Sequence, residues 1–389
     1  MAQRAQRGYP TRFCNLDEAR ARFGDRVDRL GPYLERSDEP ADAAIATVTP
    51  GPAGEAVVGA ALDGGVDVPA PLRALVEEAR RVPPWVDWER VERGGRFFFR
   101  AGLLGGLVLG GRALIFGYAS PAGNKPLVFS GRLREAAGPR LHETSRFVQA
   151  IMRRGELRPG GAGWRITLRV RLMHAQVRRM ISASGRWDGA AWGLPINQHD
   201  LVATSLLFSV VTLGGLRALG LDVSRDEADD FMHLWRWTAH VMGVDPALVP
   251  TTEPEGYRLG ELIAATQAPP DDDSRALTAA LIEHGLVHPD PKARDRARRQ
   301  LGLARAIVRH LLGAPLADRL GVPATRERFV LPAAIAAIRG VEQARRRSRG
   351  LEALLVARGE RYWDEVVRGG LSLAATDFSI PARLGRAFG

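Results

Sequence analysis

Apolar side chains along most of this chain recur every three or four residues, the spacing that places them on one face of an α-helix. Alternating apolar and polar residues, the pattern of a half-buried strand, are scarce. Local signals mark helix ends as well. Ser224 and Glu227 have the spacing of a capping box, Asp200 precedes an apolar run as a candidate N-cap, and Pro83 ends an amphipathic stretch. The sequence therefore predicts an all-α fold.

The length of 389 residues allows one to three domains, and 45% apolar with 25% charged residues is an ordinary globular composition. We expect an N-terminal helical arm over 1–70, a core over 71–270 and a C-terminal helical region packing on that core over 271–389. The basic start of the chain has no apolar segment behind it, and six glycines and Arg112 interrupt the apolar run 101–120. We therefore expect no secretory signal, no transmembrane segment and a cytoplasmic location.

Cysteine occurs once, at Cys14, which rules out an intrachain disulfide, an iron–sulfur cluster and a cysteine-based zinc site. His284 and His288 have the spacing of a metal pair, but Gly285 weakens the helix and no glutamate lies between them. The glycine-rich stretches lack the lysine of a phosphate-binding loop, and no nucleophile elbow is present. Nucleotide-binding and serine-hydrolase classes are thus not indicated.

The net charge of +11 comes almost wholly from arginine, because Lys125 and Lys292 are the only lysines. Such usage is typical of a GC-rich coding bias, so each arginine carries less functional meaning. The basic clusters at 294–299 and 345–349 are interpreted as solvated helix faces, and no nucleic-acid-binding motif accompanies them. We expect no nucleic-acid partner, and a cofactor-free protein that binds acidic partners through its arginines is the alternative.

A helix-forming stretch in the middle of the chain carries His174 in an apolar stripe between arginines. At helical spacing, Val170, Arg171, Val177 and Arg178 all lie near His174. A neutral imidazole framed by aliphatic side chains suits an axial haem ligand, with the valines packing on the macrocycle and the arginines reaching the propionates. A histidine on an apolar helix face is also commonly an ordinary core residue, and the spacing alone leaves both interpretations open.

Further upstream, Arg140 and Thr144 are four residues apart in the sequence Arg-Leu-His-Glu-Thr. On a helix, this spacing directs a guanidinium and a hydroxyl toward the same side. The pattern by itself is common in helices. Its meaning depends on the other motifs around it.

The ordered set of motifs resembles the latex clearing protein and MpaB oxygenase superfamily. The set comprises Arg140-x-x-x-Thr144, His174 within Val-Arg-Leu-Met-His-Ala-Gln-Val-Arg, and the stretches 82–88, 117–123, 187–188, 193–200 and 231–243. The resemblance implies a helical haem-binding core similar to the globin arrangement, with accessory helices at both ends. It also implies His174 as the proximal ligand of haem b, and Arg140 and Thr144 as catalytic residues of the pocket.

The resemblance further implies an enzyme, an oxygenase that uses dioxygen on a hydrophobic, often isoprenoid, organic substrate. The haem would be bound non-covalently, because Cys14 alone cannot form the thioether links of a Cys-x-x-Cys-His motif. One position departs from the pattern: members of the latex clearing type carry a glutamate proposed as a base, and counting back from Arg140 places Asn124 there. Haem binding therefore carries over better than polyisoprene cleavage, and a non-catalytic haem carrier or sensor is the alternative.

Overall fold

The computed structural model describes residues 8–129, 137–287, 290–371 and Pro381. Within these ranges the regular secondary structure is helical and contains no strand, so the all-α prediction is confirmed. The helices of the first half are α1 (Leu16–Phe23), α2 (Arg26–Leu30), α3 (Glu39–Ala46), α4 (Pro52–Leu62), α5 (Ala70–Arg80), α6 (Trp88–Ala101), α7 (Leu103–Val108), α8 (Leu114–Tyr118), α9 (Lys125–Phe129), α10 (Ala137–Met152) and α11 (Ala162–Ala183).

The second half continues with shorter helices around one long amphipathic helix, followed by a helical C-terminal region. These helices are α12 (Gly189–Trp192), α13 (Gln198–Phe208), α14 (Val210–Ala218), α15 (Arg225–Val241), α16 (Glu253–Ala265), α17 (Asp272–Glu283), α18 (Pro291–Leu312), α19 (Ala314–Arg319), α20 (Leu331–Arg345) and α21 (Arg349–Leu371). Short 3₁₀ turns cover Gly31–Glu35, His284–Val287 and Arg326–Val330, and a π turn covers Leu109–Ala113.

Helix boundaries follow the local signals with one difference. The Ser224 hydroxyl accepts a hydrogen bond from the Glu227 amide, and the Glu227 carboxylate accepts one from the Ser224 amide, so the capping box is present. Asp200, in contrast, is not an N-cap. The helix begins earlier because the Asn197 side chain accepts a hydrogen bond from the Asp200 amide at 2.9 Å. Asparagine is as good an N-cap as aspartate, and sequence alone could not choose between them.

Helix α6 lies at the centre of the molecule, packed between α15 and α21. Its aromatic face carries Phe98, whose ring stacks on Phe231 of α15 at 6.2 Å and lies 5.1 Å from Trp363 of α21. All three side chains are almost completely buried, and each contributes roughly 2–3 kcal/mol through burial of apolar surface. The main hydrophobic cluster extends from Phe13 to Trp363, drawing on all three of the predicted regions, and their division stays a prediction.

Two helical stretches in the described part of the chain approach the length and apolar character of a membrane span. Gln198–Ala218 is long and apolar enough to cross a membrane, but 56% of its apolar window is buried inside the molecule, as for a core helix. Trp88–Ala101 and Leu103–Tyr118 qualify only as a pair that is bent by 88°. The bend falls at Gly102, which has φ +49°. The later glycines, within Leu103–Tyr118, lie in continuous helix that contains the π turn.

Glycine permits the closest approach between α6 and α21. A Cβ at Gly359 would overlap the carbonyl oxygen of Phe99, which is backbone and cannot move aside. We therefore expect Gly359→Ala to lower the free energy of unfolding by about 2 kcal/mol through overpacking. The matched control is Gly340→Ala on α20, where a Cβ would meet nothing within 4 Å. This change should raise stability by about 0.5–1 kcal/mol. Urea unfolding measures both, and equal effects would contradict the packing argument.

Candidate functional site

His174 lies near the middle of the long helix α11, on its inward side. Its Nδ1 atom is fully enclosed and has no hydrogen-bond partner within the described part of the chain, while the residue as a whole is partly exposed. Val170 is buried at 8% exposure and Val177 is partly buried, so the imidazole is flanked by aliphatic side chains, as the helical spacing predicted.

The electrostatic surroundings keep this imidazole neutral. Burial, together with the nearby positive charge of Arg178 and against the opposing carboxylate of Asp38, lowers the pKa of His174 from 6.5 to about 4. A histidine must be neutral to coordinate a metal, because only then does one ring nitrogen carry a free lone pair. The His174 side chain therefore has the protonation state of a ligand at neutral pH.

Two aspartates of the N-terminal arm hold the arginines on either side of His174. The Arg171 guanidinium donates to both carboxylate oxygens of Asp38, with Nε–Oδ2 at 2.6 Å and Nη2–Oδ1 at 2.9 Å. Arg178 binds Asp42 through Nη2–Oδ1 at 2.6 Å and also donates to the Ile196 carbonyl at 2.7 Å. Both guanidinium groups are thereby anchored inside the protein, and helix α3 is held against α11.

The sequence did not indicate this role for Arg171 and Arg178. Both arginines are buried, at 3% and 5% exposure, and a buried guanidinium requires an acceptor. That requirement follows from the helical pattern, but nothing in the sequence selects Asp38 and Asp42 from the 44 acidic residues. The ion pairs are observed, whereas contacts of these arginines with a cofactor stay a prediction.

Arg140 and Thr144 lie on α10, which packs directly against α11. Both residues are partly buried. Burial lowers the pKa of the Arg140 guanidinium, while its attraction to Tyr118 and Glu143 opposes that shift. Burial likewise raises the pKa of Tyr118, opposed by the charge of Arg140. Tyr118, which the sequence analysis did not single out, thus belongs to the same group of polar side chains.

The face of α10 that carries Arg140 and Thr144 continues into an aromatic cluster. Phe147 follows Thr144 by three residues, and its ring lies 6.4 Å from that of Trp235. Trp235 stacks on Phe208 at 5.2 Å, and its indole Nε1 is buried without a hydrogen-bond partner among the residues described. The polar pair is therefore followed along the helix by a buried aromatic cluster.

Asn124, at the position where the resemblance led us to look for a glutamate, is buried at 1% exposure. Its Nδ2 donates to the Tyr118 carbonyl at 2.9 Å and to the Ser274 hydroxyl at 3.2 Å. The adjacent Lys125 forms an ion pair with Asp273 at 2.6 Å. Asn124 thus fixes the backbone next to Tyr118, and its amide has no proton-accepting role at neutral pH.

Of four other histidines, three make structural contacts and one lies outside the described residues. His233 Nε2 accepts a hydrogen bond from the Asp87 amide at 2.9 Å, His240 stacks on Trp237, and His284 contacts the Leu281 carbonyl. His288 is outside the described residues. In the described ranges, no group of three or more His, Cys, Asp or Glu side chains is arranged to hold a metal ion.

This chain resembles known oxygenases with an all-helical fold. Rubber oxygenase of Streptomyces sp. (strain K30) is 25% identical over 268 residues, which cover 67% of this chain and 62% of that protein. The chain therefore matches less than two thirds of that relative's length. The solved structure of latex clearing protein LCP in the closed state superposes with a TM-score of 0.60 over 90% of this chain and 94% of that one. At 20% identity, this likeness establishes the fold.

Residues 99–340 match the family described as ER-bound oxygenase mpaB/B'/Rubber oxygenase, catalytic domain. The matched range includes Arg140, Thr144 and His174, and it exceeds half of the chain. The protein belongs to this family of oxygenase catalytic domains, and the resemblance inferred from its motifs is confirmed.

The lowered pKa of His174 predicts that the cofactor-free protein loses stability in acid. Between pH 6.5 and about 4, the unfolded chain binds a proton at this residue that the folded chain does not. The free energy of unfolding should therefore fall as the pH falls through 6.5, and this contribution should level off below about pH 4. Urea unfolding across this range measures it. His174→Leu should flatten the dependence, and parallel curves for variant and wild type would contradict the assignment.

Proposed function

We propose that the protein is a haem b-dependent oxygenase that acts with dioxygen on a hydrophobic organic substrate, with His174 as the axial ligand of the iron. The observation that carries this proposal is the state of His174. It is a neutral imidazole on an apolar helix, with an enclosed Nδ1 that makes no hydrogen bond to the described residues, inside the family's catalytic domain. A single neutral imidazole that is partly exposed fits haem ligation.

Val170 and Val177 would pack on the macrocycle, since both flank His174 on α11. Arg171 and Arg178 act in this proposal mainly through the helix: their ion pairs fix its position, and the charge of Arg178 favours the neutral imidazole. The predicted contacts of these two arginines with the haem propionates would form in addition to their ion pairs. Cys14 is the sole cysteine and lies far along the chain from His174, so the haem would be held without thioether links.

Bound haem supplies the activation of dioxygen, and the chain's own residues set the polarity and shape around it. Arg140 provides a fixed positive charge, since a guanidinium stays protonated even when burial lowers its pKa. Thr144 offers a hydroxyl on the same helix face. The raised pKa of Tyr118 keeps its phenol protonated at neutral pH, so it acts as a hydrogen-bond donor beside Arg140.

The hydrophobic class of substrate is the one that the resemblance implies, and the side chains beyond Thr144 are apolar. Phe147 and Trp235 are buried and Phe208 is partly buried, so the part of the core next to the polar pair is aromatic. Asn124 cannot remove a proton as a carboxylate would. We therefore propose an oxygenase of this family whose reaction does not use a carboxylate base at that position.

Haem binding is tested by expression with ample haem supply and an absorption spectrum. We expect a Soret band in near-stoichiometric amount, with the cofactor extracted by acid–acetone. His174→Ala should reduce haem retention by about tenfold or more, because it removes the iron–protein bond. His233→Ala and His284→Ala are matched controls, since both histidines contact backbone groups away from α11, and they should retain the haem.

Two outcomes would contradict the ligand assignment: a colourless wild-type protein, or a His174→Ala variant with the wild-type spectrum. Consumption of dioxygen together with conversion of an apolar substrate would separate an oxygenase from a haem carrier or sensor. A haem-loaded protein that never consumes dioxygen with any apolar substrate would favour the carrier.

Arg140 and Thr144 are tested by Arg140→Ala and Thr144→Val. If both residues face the haem pocket, each change should alter the visible spectrum or the rate of reaction with dioxygen by about tenfold, through loss of a fixed charge or hydroxyl. Far-ultraviolet circular dichroism should show unchanged helical content. Arg146→Ala on the same helix, off that face, is the control. Spectra and oxygen reactivity equal to wild type in both variants would remove these residues from the site.

A further inference from the structure

The 3₁₀ turn Arg326–Val330 and helix α20 form a surface element that is apolar on its outer side. The inner side of the helix follows the spacing of a buried stripe: Leu331 is buried, Ile335 and Ile338 are partly buried, and Glu342 is buried at 4% exposure. The outer side would be expected to carry mainly charged and polar residues. Beside Arg339 and Gln343 it exposes alanines and large apolar side chains.

The exposed fractions are high for residues of this type. Phe329 is 72% exposed, Val330 56% and Val341 45%, and Ala333, Ala334 and Ala337 are exposed between them. We call this set of six residues the α20 patch. Along the helix axis it extends for about 20 Å, at 1.5 Å per residue. An apolar surface of this length on one element marks an interaction site.

The α20 patch borders an apolar cleft between α20, α21 and the bend at Gly102. The cleft has a volume of about 650 Å³, and its walls include Ala337 and Val341 of the patch together with Leu103, Leu355 and Tyr362. Leu103 is itself 55% exposed. The apolar surface is therefore continuous from the helix into a concave region.

Cations lie at both ends of the α20 patch and outnumber the acids there. Residues 326–349 contain seven arginines and two glutamates. Glu342 is paired inward with Arg100 and Arg345, and the carboxylate of Glu327 lies against Gly302 of α18 and 3.8 Å from Arg326. Arg326 and Arg328 are exposed at one end, and Arg346, Arg347 and Arg349 are exposed at the other, where Arg346 is paired with Asp222.

We propose that the α20 patch docks the protein on an anionic lipid surface. An apolar strip with cations at its ends matches a bilayer interface, where acyl chains lie beneath a negatively charged headgroup layer. A second copy of this chain is a poorer occupant of the patch, because a symmetric contact would bring the arginine clusters of both copies together. This inference concerns a different face from the candidate haem site and does not rest on the proposed function.

Vesicle co-sedimentation of the full chain tests the proposal. We expect binding to vesicles of phosphatidylcholine mixed with phosphatidylglycerol, and at least about tenfold weaker binding to phosphatidylcholine alone, with the difference suppressed by salt. The double variant Phe329→Ser/Val330→Ser should weaken binding to the mixed vesicles by about tenfold or more, since it removes apolar contact area. Val66→Ser is the matched control, because Val66 is 71% exposed on a different part of the surface.

The charges are tested by Arg326→Gln/Arg347→Gln, which should reduce the preference for the anionic lipid. The control Arg26→Gln/Arg81→Gln removes the same charge from other exposed positions and should preserve the preference. Circular dichroism checks that each variant is folded. Equal binding of wild type and the Phe329/Val330 variant would overturn the proposal. So would a concentration-dependent dimer, seen by sedimentation, that the same variant abolishes while vesicle binding stays absent.

Discussion

Arg171 and Asp38 form an ion pair in which both side chains are almost completely buried, at 3% and 4% exposure, and the position of the candidate ligand depends on it. Burial of either charge alone would cost several kcal/mol, and removing one partner from such a pair typically costs about 3–5 kcal/mol. Asp38 also caps α3 by accepting a hydrogen bond from the Ala41 amide. One carboxylate therefore fixes the start of one helix and anchors a second helix, one turn before His174.

The second pair, between Arg178 and Asp42, is placed one turn after His174 on the same side of α11. Together the two pairs hold α11 at two points around the imidazole. The two pairs also lower the pKa of His174, since the positive charge of Arg178 lowers it more than the carboxylate of Asp38 raises it. Burial and charge thus act in the same direction, and the helix that carries His174 is anchored on both sides of this residue.

The molecule places apolar surface in two different settings. Inside, the aromatic cluster of Phe147, Phe208 and Trp235 continues the helix face that begins with Arg140 and Thr144. Outside, the α20 patch combines apolar side chains with arginines at its ends. The first setting is a buried aromatic cluster beside a positive charge, and the second suits an extended interface with negative charge. The two settings lie on different elements of the fold.

Helical periodicity, the capping box at Ser224 and the motif order around His174 determined the all-α class, many helix boundaries and the family, because these signals are local or depend on spacing along the chain. The sequence also predicted the aliphatic flanks of His174, since residues three and four apart share a helix face. It could not predict that Asp38 and Asp42 would take the arginines beside His174, or that Tyr118 would lie near Arg140. Those contacts join distant segments, and only tertiary packing decides which carboxylate meets a buried guanidinium and which apolar helix face remains exposed.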